Sequence, residues 1–514
     1  ARVSGGEVTP LVARLPAALA TILTVLVVYL FGRQLKGHTA GLIAALAVAT
    51  SLRLLWIGRV ANLDSMLLLW TTLAFYLFWR AWRREGSWLA YLPMFGAIAL
   101  GIMTKGHIAL VIVGAVVGPF LLWQLVAGER RRAWQASWRC VPGLLLCLAV
   151  TAPWFIAMHY RTDGRFTDEY FVRHHLVRTG WVEPGEDVKD FEKKTDWYDY
   201  LARIWPSTFP ASIFLPGALL WIALRGRRRG RDDLLFVSIW LVLLMVMFSA
   251  MSFRKQEYIM PVYPAAGLLV AVFLTEYFEI RGQNRFWDAL LVAAFVGFCL
   301  IGVLVAGGTG LVLHEGFASW VEGKMTNENG RFTFEVIRGQ LAEHLGLTFA
   351  MIAAVVVGYV LSIAFWLRRR EMAALALVAA ATGAMMLFYV AVFVPVIDDA
   401  RSHKAFAAEA LQHIRPGDFV MANVGEDHEL CYLLGSDVLV PLGDGRWKEN
   451  MRVYDVLDRA LAGGRRAWYV IYRDHYLEHP PGKDFRLVLE TQGHHRKPLV
   501  LLSYKAGAET QQRN

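Results

Sequence analysis

Charge is scarce in this sequence. Of its 514 residues only 19% are Asp, Glu, Lys or Arg, against 56% hydrophobic, and the mean hydropathy is +0.40. Soluble domains carry roughly a quarter charged residues, so a large water-soluble enzyme is excluded. Cysteine is nearly absent as well. The four present are Cys140, Cys147, Cys299 and Cys431. They show no pairing or metal-ligand spacing, and three lie in or beside apolar runs, which reads as small buried hydrophobes. Low-complexity tracts and internal repeats are missing too. The opening residues ARVSGGEVTP lack the basic start and apolar centre of a signal peptide. They read as the tail of an outer loop, with a first span and first outer loop expected upstream.

The hydrophobic residues gather into runs of spanning length: Leu11 to Phe31, Asp64 to Trp82, His107 to Ala127, Pro142 to Met158, Asp233 to Phe253, Phe286 to Gly307, Leu345 to Leu367 and Met372 to Pro395. About twenty such residues cross a bilayer core as a helix with every backbone group bonded internally. This criterion predicts about twelve spans within residues 1–395. The formal charge of +10 is concentrated at their ends. The clusters are Arg33/Lys36, Arg80/Arg83/Arg84, Arg130/Arg131/Arg132, Arg225 to Arg231, Arg281/Arg285 and Arg368/Arg369/Arg370. With every cluster cytoplasmic, the spans alternate consistently. Asp64, Lys105, the loop 160–209, residues 254–258 and the C-terminal tail then lie outside. Arginines spread along span ends in this way exclude a nucleic-acid surface.

Residues 396–514 lose the long runs. Short β-rich segments at Phe419–Val424, Val438–Pro441, Ala467–Tyr472, Phe485–Leu489 and Leu499–Leu502 alternate with helical stretches at Ala405–Ile414 and Val453–Leu461. That pattern predicts a small α/β domain, here on the outer face. The expected architecture is an all-α polytopic membrane bundle with a C-terminal α/β periplasmic domain. The outer loop 159–209 is long and rich in ionisable and aromatic residues, a common property of functional loops.

Several motifs share an order and a side. They are ARLPAAL (13–19), GRVANLDSMLLLW (58–70), GIMTKGHIAL (101–110), YFVRHHLVR (170–178), WYDYLARIWPSTFPASIFLP (197–216) and SFRKQEYIMPVYPAAGLL (252–269). The set resembles the bacterial lipid-linked sugar transferases of the GT-C fold, which include the aminoarabinose and protein O-mannosyltransferases. The resemblance implies a glycosyltransferase of the inner membrane. Its donor is a polyprenyl-phosphate sugar and its acceptor a lipid (lipid A among them), glycan or protein. The family's acidic outer motif, with its general-base aspartate, precedes ARLPAAL. The chain is therefore expected to be truncated at its N-terminus and inactive alone. A polytopic transporter or flippase is the alternative, but the ionisable groups crowd the outer loops instead of the bilayer midplane.

Individual residues carry two readings each. Asp64 begins a span, where an aspartate can cap the helix; the resemblance makes it a catalytic-site residue that positions the acceptor or a neighbouring cation. Arg59 is its expected ion-pair partner. Lys105 ends a span, where lysine snorkels to the headgroups, or it binds the donor phosphate. Arg178, Lys255, Arg254 and Tyr258 are candidates for the same phosphate, Arg178 best because guanidinium grips phosphate through two bonds. The resemblance also implies a divalent metal near His175. Adjacent His174 points about 100° away on a helix and would not share it.

Overall fold

The computed structural model describes residues 10–168, 170, 198–225, 231–251, 255–325, 328–423, 430, 433–434, 438–439, 457–458, 460–478, 482–491 and 498–505. The chain divides into two compact units. One comprises Ala1–Gly185, Phe191–Leu304 and Val356–Gly383; the other comprises Glu186–Asp190, Val305–Val355 and Ala384–Asn514.

The first unit is helical. It opens with α1 (Pro10–Lys36), α2 (His38–Ala49), α3 (Leu52–Ile57), α4 (Asp64–Arg83), α5 (Trp88–Lys105), α6 (Ile108–Ala127) and α7 (Arg130–Arg161). Helices Asp199–Ser207, Leu215–Arg225, Asp232–Ser249 and Tyr263–Ile280 follow. Among the described residues, nine helices are long and apolar enough to cross a membrane, or ten if the bent pair Asp199–Ser207 and Ala211–Leu224 is one span. The chain is thus a multi-pass membrane protein. Two further segments of the charge alternation escape that count for plain reasons. The helix α2 has only 12 residues, and Trp70, Tyr76, Trp79, Trp82 and two arginines lower the hydropathy of α4.

In lipid, helices gain little from hiding apolar surface from one another, so close packing and internal hydrogen bonds hold the bundle. The α1–α2 crossing uses small residues: a Cβ on Gly41 would stand 2.7 Å from the Tyr29 carbonyl oxygen, and one on Gly32 would stand 2.9 Å from that of Ala40. Aromatic rings fill the next layer. Phe236 lies 5.2 Å from Phe120 and 5.5 Å from both Phe78 and Trp79, while Phe75 meets Trp240 at 4.3 Å between ring centroids.

Helix Tyr263–Ile280 runs through the middle and is buried without a break from Tyr263 to Tyr277. Its C-terminal part presents Glu276, whose carboxylate accepts hydrogen bonds from Trp221 Nε1 at 2.7 Å and Arg231 at 2.6 Å, with Lys36 Nζ at 3.4 Å. A buried carboxylate survives there because three donors replace its water. Arg281 pairs with Glu371 and donates to the Trp366 carbonyl at 2.8 Å. Members of three basic clusters, Lys36, Arg231 and Arg281, therefore meet at one end of this helix. The turn Gln256–Val262 leads into its other end, roughly 30 Å away at about 1.5 Å per residue.

The second unit contains the C-terminal domain. Its described residues hold a five-stranded sheet in the order β2-β1-β3-β5-β4. The strands are β1 (Phe419–Asn423), β2 (Val438–Leu439), β3 (Ala467–Tyr472), β4 (Phe485–Glu490) and β5 (Leu499–Tyr504). β1 is parallel to β2 and β3, whereas β5 is antiparallel to β3 and β4. Strict alternation sends Val470, Leu499 and Leu501 towards helix Lys404–His413, through Phe406, Ala407 and Ala410. Met421, Tyr469, Ile471, Val500 and Leu502 face the opposite layer with Leu457 and Ala460. Both sheet faces are covered, and the α/β domain read from the sequence is present, strand for strand.

Asp418, just before β1, locks this domain. Its carboxylate accepts from the Arg415 amide at 2.8 Å, Trp468 Nε1 at 2.9 Å and both Arg466 Nε and Nη2 at 3.1 and 2.7 Å. Burial pushes its pKa up, but these hydrogen bonds and the Arg466 charge outweigh that and hold it below the usual carboxylate range. A depressed carboxylate pKa stabilises the fold above the unfolded value, and that contribution is lost as pH falls through the folded one. Asp418→Ala should cost roughly 1–3 kcal/mol by leaving Trp468 and the Arg415 amide unpartnered. Hydrogen exchange at the amides of β1 and β3 reads this out. Faster exchange is expected in the variant at pH 7, with the difference from wild type shrinking in acid.

Candidate active site

Asn62 sets up the site. Its amide nitrogen donates to the carbonyls of Ile57 at 2.7 Å and Val60 at 2.8 Å, and its oxygen accepts the Ser65 amide at 2.9 Å. The cap of α4 is therefore supplied by Asn62. Asp64, in the first turn, is released from that duty and forms an ion pair with Lys105. It does not pair with Arg59, as the sequence suggests; the Arg59 guanidinium lies 6.0 Å from the Trp56 ring centroid. Lys105 likewise does not simply snorkel.

Lys105 is the last residue of α5, and Gly106 ends that helix with φ +83°. Only glycine takes this backbone without strain, and here it has no room for a side chain either, because a Cβ would fall 1.5 Å from the Tyr170 hydroxyl. That hydroxyl accepts the His107 amide at 3.0 Å. Trp70 Nε1 donates to Thr104 Oγ1 at 3.2 Å and fixes α4 against α5 one turn below the ion pair.

The third contributor is the turn Gln256–Val262. Tyr258 places its ring centroid 5.4 Å from Lys105 Nζ, a cation–π approach. The chain just before Tyr258 is anchored at two points. Glu257 pairs with Arg53 of α3, and the Lys255 carbonyl accepts the Tyr200 hydroxyl at 2.7 Å. Asp64, Lys105, Tyr170, Glu257 and Tyr258 line a cavity of about 420 Å³. Leu63, Leu67, Ile108, Ile112, Phe248, Met251, Met260 and Pro261 complete its wall. Among the described residues, one cation, two carboxylates and two phenols thus stand against an otherwise apolar lining.

Three of the residues singled out by sequence, Asp64, Lys105 and Tyr258, are brought together. Lys255 is exposed and absent from the cavity wall. Arg178, Arg254, His174 and His175 lie outside the described residues. Among the described residues, no group of three His, Cys, Asp or Glu could hold a metal ion. Sequence reasoning missed Glu257, Arg53, Asn62 and the part played by Tyr170. Glu257 adjoins the Tyr258 motif and could have been flagged, but its partner Arg53 is 204 positions away.

Comparison with known proteins bears on the fold and on the resemblance. Residues 5–156 match the family described as dolichyl-phosphate-mannose-protein mannosyltransferase. The chain is 29% identical over 287 residues to undecaprenyl phosphate-alpha-4-amino-4-deoxy-L-arabinose arabinosyl transferase 1 of Pseudomonas fluorescens, covering 53% of this chain and 46% of the relative. It is 28% identical over 329 residues to the arabinosyl transferase of Pectobacterium atrosepticum, covering 60% and 56%. These alignments span about half the length of the curated relatives. The crystal structure of ArnT from Cupriavidus metallidurans bound to undecaprenyl phosphate superimposes with a TM-score of 0.71 at 20% identity, over 96% of this chain and 84% of that one. The same protein in the apo state gives 0.70 at 19% identity, over 95% and 83%. The GT-C-type fold expected from the motifs is therefore shown, and the resemblance to lipid-linked sugar transferases holds in sequence and structure.

The Arg53–Glu257 pair is open to a direct test. Arg53→Glu and Glu257→Arg should each lower thermal stability in detergent by roughly 1–3 kcal/mol, the range for a charged hydrogen bond left without its partner. The double exchange should recover most of the loss. Additive losses in the double variant would show that the two residues do not act as a pair.

Proposed function

We propose that this chain is a membrane glycosyltransferase that moves a glycosyl group from a polyprenyl-phosphate sugar to an acceptor hydroxyl or phosphate. The acceptor classes this reading allows are lipid A, another glycan, a lipid or a protein. The reaction takes place at the outer face of a bacterial inner membrane. The observation that carries this reading is the position of Lys105, one cation set in an apolar cavity between a carboxylate and a phenol. A phosphate esterified to an isoprenoid needs that combination, with charge at one end and hydrocarbon at the other.

In the reaction, an acceptor oxygen, its proton taken by the general-base aspartate that the resemblance puts upstream of ARLPAAL, forms a bond to C1 of the sugar while the bond from C1 to the carrier phosphate breaks. The electron pair leaves with the phosphate oxygen, and a single displacement inverts C1. Lys105 meets the negative charge that grows there, the type of fixed electrostatic help that contributes most to such steps. Asp64 aims Lys105, and Tyr258 flanks its ammonium and offers a hydroxyl to a phosphate oxygen. In the same reading Arg178, Arg254 and Lys255 supply further phosphate contacts. These roles fall on Asp64, Lys105 and Tyr258, and the resemblance adds a divalent metal near His175. The transporter alternative finds no support in the relatives.

The protein expressed from its complete reading frame tests this in membranes supplied with donor and acceptor. Lys105→Gln should lower kcat/KM by roughly 10²-fold, as removal of one transition-state donor does elsewhere. Asp64→Asn should lower kcat while leaving α4 capped by Asn62. Wild-type kinetics in both variants would remove the cluster from catalysis.

The proposed sidedness rests on twelve crossings. Ten are the apolar helices with the bent pair taken as one, and segments 38–57 and 64–83 provide the other two. Reporter fusions should place Arg130, Arg228 and Arg369 in the cytoplasm and Asp474 outside. A cytoplasmic Asp474 would overturn the orientation.

A further inference from the structure

A second groove lies far from the cavity, where the N-terminal ends of α5 and α7 meet. Trp88, Trp138, Arg139 and Pro142 line it, and its volume is about 420 Å³. The helix α7 is 32 residues long, or about 48 Å at 1.5 Å per residue, whereas the hydrocarbon core is about 30 Å thick. Its first turns, RRRAWQASWR, are those with the polar sequence, so they extend into the headgroup region.

Three features make this groove more than a share of the usual aromatic belt. Trp88, Trp134 and Trp138 are 47%, 58% and 59% exposed, and the latter two stack edge to face at 5.8 Å. Arg139 is held at the groove by a 3.3 Å hydrogen bond to the Glu85 carbonyl, and among the described residues no carboxylate pairs with it. The surrounding charge is one-sided. Arg83, Arg84, Arg130, Arg131 and Arg132 are adjacent in the chain to the two elements, against only Glu85 and Glu129. Arg132 is taken up by the Trp82 ring at 4.3 Å and by Glu85 at 3.8 Å, while Arg130 and Arg131 are exposed. Below the groove Val141 and Leu145 are exposed at 39% and 61%, an apolar track along α7.

We propose that this groove binds the headgroup of an anionic phospholipid from the leaflet facing the basic helix ends. The phosphate sits against Arg139, with Arg130 and Arg131 adding attraction. The indoles of Trp88 and Trp138 pack at the level of the glycerol esters, where amphipathic rings are favoured. One acyl chain follows Val141 and Leu145. Basic grooves between helices at this level are suited to such headgroups. The site is independent of the sugar-transfer reading.

The test uses the full chain purified in detergent, titrated with phosphatidylglycerol or phosphatidylcholine and followed by native mass spectrometry and melting temperature. Wild-type protein should retain phosphatidylglycerol in preference to phosphatidylcholine. Arg139→Gln should weaken phosphatidylglycerol binding by roughly fivefold, the effect of about one basic residue near an anionic surface, and leave phosphatidylcholine unaffected. The double variant Arg130→Gln/Arg131→Gln, with both changes on exposed side chains, should do the same without risk to folding. Trp138→Ala should weaken retention, whereas Trp154→Ala, at the other end of α7, should not. Equal retention of the two lipids would overturn the proposal. So would unchanged phosphatidylglycerol binding in the double variant, or a loss in Trp154→Ala equal to that in Trp138→Ala.

Discussion

A charged side chain within a bilayer costs several kcal/mol unless it is paired or reaches water, and this chain is organised around that cost. Its central helix shows the solution. From Tyr263 to Tyr277 it is buried throughout, and near its C-terminus Glu276 is neutralised by Arg231, Lys36 and the Trp221 indole. The turn that precedes it carries Glu257 to Arg53 and Tyr258 to Lys105. Apolar and aromatic contacts fill the length between, where only shape and dispersion can hold helices together. The charged contacts around this helix lie at its two ends.

The cavity follows from the same economy. Asn62 takes over the cap of α4, which leaves the Asp64 carboxylate available for Lys105. Gly106 gives up a side chain so that the Tyr170 hydroxyl can reach the His107 amide. Each of these local substitutions frees one group and fixes another. The result is a lysine held in a defined place without being buried beyond a ligand's reach. In the proposed reaction the carrier phosphate competes with one carboxylate for that lysine. The opposite end of the bundle has the complementary arrangement. Basic residues there outnumber acids, and one of them, Arg139, lines a groove with Trp88 and Trp138.

Much of this could be read from the chain itself, because the relevant signals are local. Unbroken apolar runs mark helices, since a helix satisfies its whole backbone in hydrocarbon within one segment. The strands β1 to β5 lie where β-rich runs alternate with turns, and β3 begins and ends at the residues expected. Asp64, Lys105 and Tyr258 stand out in the sequence because each sits in a short motif at a span end, and the structure brings the three to one cavity. The segments harder to read were those whose local composition is ambiguous. α2 is short, and the tryptophans and arginines of α4 lower its hydropathy although it packs within the helical unit.

Sequence alone determined that the chain crosses a membrane many times, that its basic residues gather at one set of helix ends, and that a small α/β domain closes it. These are consequences of composition and periodicity within single segments. Tertiary structure alone decided which charge meets which. Asp64 pairs with Lys105 and not with nearby Arg59, and Glu257 meets an arginine 204 residues away. Lys255, although in the same motif as Tyr258, stays out of the cavity wall. Partner choice depends on where helices that are distant in sequence come to rest against one another. It is set by the packing of rings and small residues along their whole length, and no local pattern records it.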